Sequence, residues 1–421
     1  MHRSRLVRRD FLAAAGAGLA APLFVPARVL GRDGGPGAND AIRIGVIGCG
    51  NRARQLIEQI PPPGRVVALA DCFLPRAAEA ARLNDRSDWP IYQDYRQMLD
   101  REALDAVVVA TPDHGRTLPS ILAVQAGLDV YAEKPLTAYV REGRVLVDEV
   151  RRHRRILQVG SQQRSMEINR FCCDFVRQGR LGKVQKVLAV NYPGPRPMTG
   201  LPAGEPIHDG DDWDAWCGPA PLRPFHSQLQ FGWMHWRENS GRQPTHWGGP
   251  GAAPIQGGPG RGHTGAPSLW PLADGPAGAV GMRYADGVEV RFQLPETGPM
   301  GGAVFVGSDA KMEINRNKFT TNPPDFVRDA PPPEVQHAWE GEGWIARPHL
   351  QNWLDCLASR ELPAADVEIG HRSVTVCPLL NITRELGRSL QWDPDAEQFV
   401  DDDEANSLLD RPRRPGYELP A

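Results

Sequence analysis

The stretch Ile42-Arg43-Ile44-Gly45-Val46-Ile47-Gly48-Cys49-Gly50-Asn51-Arg52-Ala53 decides the fold of this chain. Its first six residues form a short apolar segment that is typical of a buried β-strand. A glycine-rich turn follows directly, and apolar side chains from Ala53 to Ile60 then recur at i, i+3, i+4 and i+7, which predicts a helix. A strand that leads into a helix through Gly-x-Gly-x-x-Ala predicts a binding site for the pyrophosphate of a dinucleotide.

Each small residue of this turn has a physical task. Gly48 permits the tight turn, and Gly50 lets the backbone come close to the pyrophosphate. Ala53 stands where a third small residue allows the helix to pack closely on the strand. The free amides and the positive dipole end of the helix N-terminus then face the phosphates.

Asp71 is the second signal of dinucleotide binding. It ends the next apolar strand, Arg65–Ala70, about 20 residues beyond the glycine turn, where a carboxylate accepts hydrogen bonds from the adenosine ribose. A carboxylate there repels a 2′-phosphate, so NAD is expected, while the nearby Arg76 leaves NADP open. The alternative role for Asp71 is an N-cap for the following helix.

Strands and helices continue to alternate up to residue 161, which predicts a parallel sheet. The predicted elements are strands at 104–110, 129–132 and 156–159 and helices at 116–126 and 140–150. Loops at the carboxyl ends of parallel strands line the ligand crevice, so Thr111-Pro112-Asp113-His114 and Glu133-Lys134-Pro135 are expected there. After Gln162, runs of strands without intervening helices indicate an open antiparallel sheet.

The expected fold class is therefore α/β. A Rossmann dinucleotide-binding domain is predicted over 41–161, and an α+β substrate and dimerisation domain with an open, mainly antiparallel sheet over 162–421. Within the second domain, residues 241–279 contain 11 Gly and 7 Pro. That composition predicts a poorly ordered stretch, and we expect a loop or disorder at 249–262.

These motifs resemble the Gfo/Idh/MocA oxidoreductases, a family that includes glucose-fructose oxidoreductase and inositol dehydrogenase. The resemblance rests on the glycine turn with Asn51 and Arg52 and on the two loops quoted above, and it continues through Val159–Ser165, Asp212–Pro221 and Asp366–Ser373. Together these segments extend over nearly the whole chain after residue 41. They look most like the members that are exported by the twin-arginine route.

The resemblance implies roles for individual residues. Lys134 would contact the nicotinamide ribose and the reacting hydroxyl, and Pro135 would follow a cis peptide bond. The alternative for Lys134 is an exposed surface lysine. The implied cofactor-binding residues are Gly48, Gly50, Asn51, Arg52, Asp71, Thr111, Pro112, His114, Glu133, Lys134, Pro135 and Gln162. The implied substrate-binding residues are Arg164, Tyr192, Trp213 and His349, although core packing explains a tryptophan equally well.

The resemblance fails at one catalytic position. The family's acid/base histidine falls on Pro250 and its aspartate on Ala253, and neither residue can transfer a proton. Three interpretations remain open: a cofactor-binding relic, a local error in the sequence, or replacement by another histidine. The replacement candidates are His246, His208, His235 and His263, and the alternative for each of them is a surface or loop residue without a catalytic role. We name His246 as the catalytic candidate beside Lys134.

The first 40 residues predict a targeting segment. Arg8-Arg9-Asp10-Phe11-Leu12 precedes an apolar run, Ala13 to Val25, that is too short for a stable membrane span, and Gly31 to Asp40 looks like a linker. We therefore expect twin-arginine export to the periplasm as a folded protein, with an uncleaved anchor as the alternative. After removal of the signal, no membrane span is expected.

Composition excludes several classes of partner. The net charge of -3 gives no reason to expect nucleic acid. The seven cysteines lack metal-ligand spacing, so no metal is expected. The expected partner is a sugar or cyclitol, and the expected assembly is a homo-oligomer. The leading functional hypothesis is an NAD(P)-dependent oxidoreductase acting on a hydroxyl group. The alternatives are a catalytically impaired dinucleotide- or sugar-binding protein and an NAD-dependent glycosidase of the same fold.

Overall fold

The computed structural model describes residues 41–200, 203–248, 268–299, 301–332, 334–335 and 346–420. Several predictions lie outside these ranges. They are the twin-arginine segment, the expected loop at 249–262, and the positions of Pro250, Ala253 and His263. From Ile42 onward the described residues belong to one compact unit.

The first half is a six-stranded sheet in the order β3-β2-β1-β4-β5-β6, and all of its strand pairs are parallel. Its strands are β1 (Ile42–Ile47), β2 (Gly64–Ala70), β3 (Ile91–Tyr92), β4 (Ala106–Val109), β5 (Asp129–Ala132) and β6 (Leu157–Val159). This is the strand order of the Rossmann fold, in which ligands bind where the order reverses, between β1 and β4. The fold class expected for the first half is confirmed.

Helices cover both faces of this sheet. They are α1 (Asn51–Gln59), α2 (Leu74–Leu83), α3 (Tyr95–Arg101), α4 (Thr117–Gln125) and α5 (Val140–Arg152). β4 and β5 are buried along their whole length, as expected of central parallel strands with helices on both sides. Apolar side chains from both faces therefore form the core that fixes the loops at the strand ends.

The second half contains a nine-stranded sheet in the order β13-β12-β11-β7-β10-β9-β8-β14-β15. Its strands are β7 (Lys186–Val190), β8 (Ser268–Pro271), β9 (Val280–Arg283), β10 (Glu289–Leu294), β11 (Ala303–Val306), β12 (Lys311–Ile314), β13 (Phe319–Asn322), β14 (Leu390–Asp393) and β15 (Gln398–Phe399). Only β7 and β10 pair in parallel, so the expected mainly antiparallel sheet is confirmed. The β9–β10 hairpin turns at Gly287, whose φ of 85° suits glycine.

The remaining helices follow the first sheet in the sequence. They are α6 (Glu167–Arg177), α7 (Trp213–Cys217), α8 (Ser227–Gly232), α9 (Arg347–Ser359), α10 (Val367–Leu386) and α11 (Asp403–Ser407). α9 buries Trp353 completely in the core of the first half. α10 approaches α5 so closely that a Cβ atom on Gly143 would lie 2.2 Å from Nδ1 of His371. In the parts of the chain described above, no helix has both the length and the apolar character to cross a membrane.

Candidate functional site

A cavity of about 610 Å³ lies at the carboxyl ends of the Rossmann strands. The loops that follow β1, β2, β4, β5 and β6 all contribute to its wall, and the second half adds Trp216, Trp233 and His246. Its volume falls within the usual range for small-molecule and cofactor sites. The strand order distinguishes the two ends of the cavity. β2 and β3 lie on one side of the β1–β4 crevice, and β5 and β6 lie on the other.

The glycine turn has the geometry of a phosphate-binding loop. Gly48 has a φ of +83°, and a Cβ atom there would lie 2.9 Å from the amide nitrogen of Thr111. Gly50 begins α1, and nothing lies within 4 Å of the Cβ it lacks. The first turn of α1 has no acidic residue and no side-chain cap, so no carboxylate there opposes an anion at the positive end of the helix. Ala53 is fully buried, as its packing role requires.

Asp71 ends β2 and reaches back to this turn. Its Oδ2 accepts a hydrogen bond from the amide of Cys49 at 2.6 Å, and its Oδ1 accepts one from the amide of Phe73 at 2.8 Å. Burial raises the pKa of Asp71, and the two amide hydrogen bonds oppose that rise in part. Asp71 lines the cavity together with Arg76, whose guanidinium lies 4.5 Å from the ring centre of Phe73.

Arg52 ties three loops of the site together. Its Nε donates to Oε1 of Glu133 at 2.7 Å, and its Nη2 donates to Oε1 of Gln162 at 2.9 Å. The Glu133 carboxylate packs against Gly160, where any Cβ atom would lie within 3 Å of it. Burial alone would raise the pKa of Glu133, but Arg52 and Lys134 outweigh it, so the pKa is lowered. Glu133 is therefore an ionised anchor that fixes the loops after β1, β5 and β6.

Lys134 lies on the cavity wall directly after this anchor. Burial lowers the pKa of its amine below the usual lysine value, although Glu133 and Asp113 oppose that change. Its Nζ donates a hydrogen bond to the backbone oxygen of His246 at 3.3 Å. The peptide bond between Lys134 and Pro135 is cis, as predicted. The structure thus brings the two predicted catalytic residues, Lys134 and His246, together.

Asp113 is the residue that the sequence interpretation missed. Its side chain is fully buried, and its Oδ2 accepts hydrogen bonds from Ser240 Oγ at 2.7 Å and from His246 Nε2 at 3.0 Å. Burial alone would raise the pKa of Asp113, but His246, Arg116 and Ser240 together lower it. The sequence signal was a charged residue in a loop that follows a fully buried strand. An ionised Asp113 can only accept, so it holds the hydrogen on Nε2 and leaves Nδ1 of His246 to accept a proton.

Two predicted cofactor residues do not line the cavity. His114 is buried behind the wall, where Nε2 contacts the backbone oxygen of Trp216 at 2.8 Å and Nδ1 contacts Asn239. Burial lowers the pKa of His114 to about 4, so its ring is neutral and structural. Pro135 is buried too, and its carbonyl accepts from Arg116. The other predicted cofactor residues all line the cavity.

The predicted substrate residues also lie outside the lining. Arg164 donates to the backbone oxygen of Ala364, and Tyr192 is buried. His349 is fully enclosed, with its ring nitrogens bonded to Ser165 Oγ at 2.6 Å and to the backbone oxygen of Val159 at 2.9 Å. The structure therefore gives these three predicted contacts no support, because packing and internal hydrogen bonds already use their side chains.

Trp213 is the fourth predicted substrate residue, and it does not line the cavity, whereas the nearby Trp216 does. The indole of Trp213 donates to the backbone oxygen of Arg223 at 2.7 Å, and its ring stacks on Trp216 with 4.4 Å between centroids. Trp216 itself lines the cavity. Of the other candidate histidines that the structure describes, His208 and His235 are exposed and do not line it.

Comparison with known families gives two matches. Residues 42–161 match the Gfo/Idh/MocA family model whose description is "Oxidoreductase family, NAD-binding Rossmann fold". The model described as the oxidoreductase family, C-terminal alpha/beta domain, matches residues 279–419. Together they account for more than half of the chain.

Individual relatives are cyclitol dehydrogenases. Inositol 2-dehydrogenase 2 of Saccharopolyspora erythraea is 32% identical over 183 residues, which are 40% of this chain and 52% of that protein. The scyllo-inositol 2-dehydrogenase (NAD(+)) of Bacillus subtilis is 30% identical over 129 residues, 29% of this chain and 36% of that protein. The chain thus spans about half, or less, of the length of the curated relatives it matches.

Solved structures share the fold. Scyllo-inositol dehydrogenase from Lactobacillus casei, with bound NAD(H) and scyllo-inositol, superposes with a TM-score of 0.57 at 14% identity, over 83% of this chain and 99% of that one. The WlbA dehydrogenase from Bordetella pertussis, in complex with NADH and UDP-GlcNAcA, gives a TM-score of 0.59 at 18% identity, over 84% and 98%. At this level of identity the likeness establishes the fold alone.

Proposed function

The chain belongs to the Gfo/Idh/MocA oxidoreductase family, and from that premise we propose that it is an NAD-dependent oxidoreductase acting on a hydroxyl group of a sugar or cyclitol. One observation carries the proposal. Lys134, His246 and the buried carboxylate of Asp113 meet at the wall of the cavity that the glycine turn also lines.

The residues present fit NAD along the length of the cavity. The uncapped start of α1 suits the pyrophosphate, and Asp71 at the end of β2 suits the adenosine ribose. Lys134, at the end of β5, lies on the opposite side of the crevice, where the nicotinamide half would bind. When bound, NAD would supply the acceptor for a hydride from the carbon that carries the hydroxyl.

The chain's own residues handle the proton. A lysine with a lowered pKa has a larger share of neutral amine near neutral pH, so more of the protein can use Lys134 as a proton acceptor there. His246 lines the cavity, and Asp113 orients its ring through Nε2, which leaves Nδ1 able to accept a proton. This arrangement supports a Lys134–His246 acid/base pair that does not require the family's histidine, whose position is Pro250 in this sequence.

A binding and turnover experiment tests the proposal. The purified protein is denatured and its supernatant is examined for dinucleotide by absorbance, and the native protein is then mixed with a panel of inositols and monosaccharides. We expect reduced nicotinamide to form with at least one compound. Bound dinucleotide with no reduction by any compound would instead support the catalytically impaired binding protein. Release of an aglycone from glycosides without net reduction would support the glycosidase.

The Arg8-Arg9 segment supports a further proposal, export by the twin-arginine route to the periplasm. Replacing both arginines with lysine should retain the protein in the cytoplasmic fraction, whereas unchanged fractionation would contradict this. We also propose a homo-oligomer that associates through the nine-stranded sheet, an inference that comes from the family resemblance. Light scattering that gives a monomer mass would contradict it.

A further inference from the structure

The last residues of the chain return to the Rossmann half and reach the cavity. Tyr417, which is half-buried, lines the same cavity as Gly50 and Asp71. Its neighbour Arg96 belongs to α3, directly after β3, and donates from Nη2 to the backbone oxygen of Gly416 at 3.2 Å. The end of the chain is therefore part of the wall of the dinucleotide site.

The strand order shows which end of the site this is. β3 is the outermost strand on the side of β2, where Asp71 marks the adenosine ribose, whereas Lys134 follows β5 on the other side of the crevice. Arg96 and Tyr417 therefore lie at the adenosine end. We propose that the ring of Tyr417 forms the outer wall of the adenosine pocket and slows the release of NAD.

Ion pairs hold the tail segment, residues 411–420, in this position. Arg411 pairs with Glu142 at 2.7 Å, and both side chains are almost completely buried. A second Nη2 hydrogen bond joins Arg411 to the backbone oxygen of His114. A charge pair that is buried and hydrogen-bonded on both sides fixes geometry, because breaking it leaves an uncompensated charge.

A second anchor lies closer to the tyrosine. Arg414 pairs with Asp214 of α7 at 2.8 Å and donates from Nε to the backbone oxygen of Gly218 at 2.8 Å. Its guanidinium lies 5.1 Å from the centre of the Tyr417 ring, and that of Arg96 lies 5.4 Å from the same ring. The ring is thus oriented by two cation–π contacts before any ligand binds.

A preformed aromatic wall favours binding of a purine. An aromatic side chain stacked on a base is sensitive to truncation, and a ring that is already held loses little conformational entropy when the ligand arrives. For a protein that we expect to work outside the cytoplasm, slow release would keep the cofactor bound. The inference depends on dinucleotide binding and does not depend on the proposed catalytic step.

The test compares Tyr417→Ala with Tyr417→Phe. NADH is bound to each full-length protein and chased with excess ADP-ribose while nicotinamide fluorescence is followed. We expect release about ten-fold faster in Tyr417→Ala, equivalent to about 1.4 kcal/mol. Tyr417→Phe, which keeps the ring, should remain within about two-fold of the parent protein.

Two half-cofactors locate the effect. AMP should bind about ten-fold more weakly to Tyr417→Ala, whereas nicotinamide mononucleotide should bind as it does to the parent protein. Unchanged NADH release in Tyr417→Ala, or equal weakening of both half-cofactors, would overturn the proposal. Because only binding is measured, a parent protein that holds NADH but turns over no sugar still gives a decisive result here.

Discussion

Charge at Asp71 should set the choice between NAD and NADP, and Asp71→Asn isolates that charge. Asp71 is 6% exposed and lines the cavity at the end of β2. Its two carboxylate oxygens accept from the amides of Cys49 and Phe73. An asparagine oxygen can still accept one of these amides, so the variant removes the negative charge with limited damage to the turn.

The magnitude follows from Coulomb's law. A carboxylate about 5 Å from a phosphate oxygen, at an effective dielectric constant of about 20, is repelled by about 3 kcal/mol for each pair of unit charges. Solvent in the open cavity screens part of this repulsion. We therefore expect the ratio of the NADPH and NADH dissociation constants to fall at least about ten-fold in Asp71→Asn, which is about 1.4 kcal/mol.

The assay is titration of NADH and NADPH by fluorescence, and it needs no substrate. General damage to the turn weakens both cofactors equally and cancels in the ratio. Asp94→Asn is the matched control, because Asp94 lines the same end of the cavity but caps α3. Since burial raises the pKa of Asp71, acidification should reduce the parent protein's discrimination at a higher pH than is usual for an aspartate. A ratio that is unchanged in Asp71→Asn would refute the reasoning.

Three other predictions concern the proton-handling groups and stability. Lys134→Met should lower kcat by about 100-fold or more while dinucleotide stays bound, and Lys134→Arg should not restore turnover, since arginine stays protonated. The parent protein's rate of oxidation should rise with pH through a pKa below that of an ordinary lysine; a flat pH profile would argue against a lysine base. Asp113→Asn should lower kcat at least about ten-fold with little effect on NADH binding, and an equal loss of both would indicate a purely structural role. Burial lowers the pKa of His114 and of His349 to about 4, so the unfolded state binds protons first on acidification. Urea titrations should show that the free energy of unfolding falls by about 2 kcal/mol for each of these two histidines between pH 7.5 and pH 5. His349→Gln should therefore remove about half of the fall that the two histidines cause together.

The local sequence pattern was enough to predict the first strand and the first helix of the Rossmann half. The apolar run before Gly48 and the helical spacing after it depend only on neighbouring residues, and both elements appear where predicted. The β9–β10 hairpin also has a local cause, because Asp286-Gly287 is a favoured two-residue turn. The short α7 and α8 were not predicted, since five or six residues carry too little periodicity to distinguish a helix from a loop.

Burial decided which predicted site residues reach the cavity. Lys134 and His246 are far apart in sequence, and their contact exists because the chain between them folds back over the strand ends. His114 and His349 carry the right functional group, but internal hydrogen bonds use both ring nitrogens of each. A residue type in a loop motif says what chemistry is available and does not say which way the side chain points.

The sequence by itself determined the Rossmann half, the dinucleotide turn and the position of Asp71, because each is a short-range pattern with a fixed backbone geometry. Only the tertiary structure decided that Asp113 contacts the ring of His246 and that Tyr417 lines the cavity. Asp113 and His246 are more than a hundred positions apart in the sequence, and Tyr417 is more than three hundred positions from Gly50 and Asp71, which line the same cavity. Such contacts depend on how two sheets and a returning tail pack together, and no local periodicity encodes that packing.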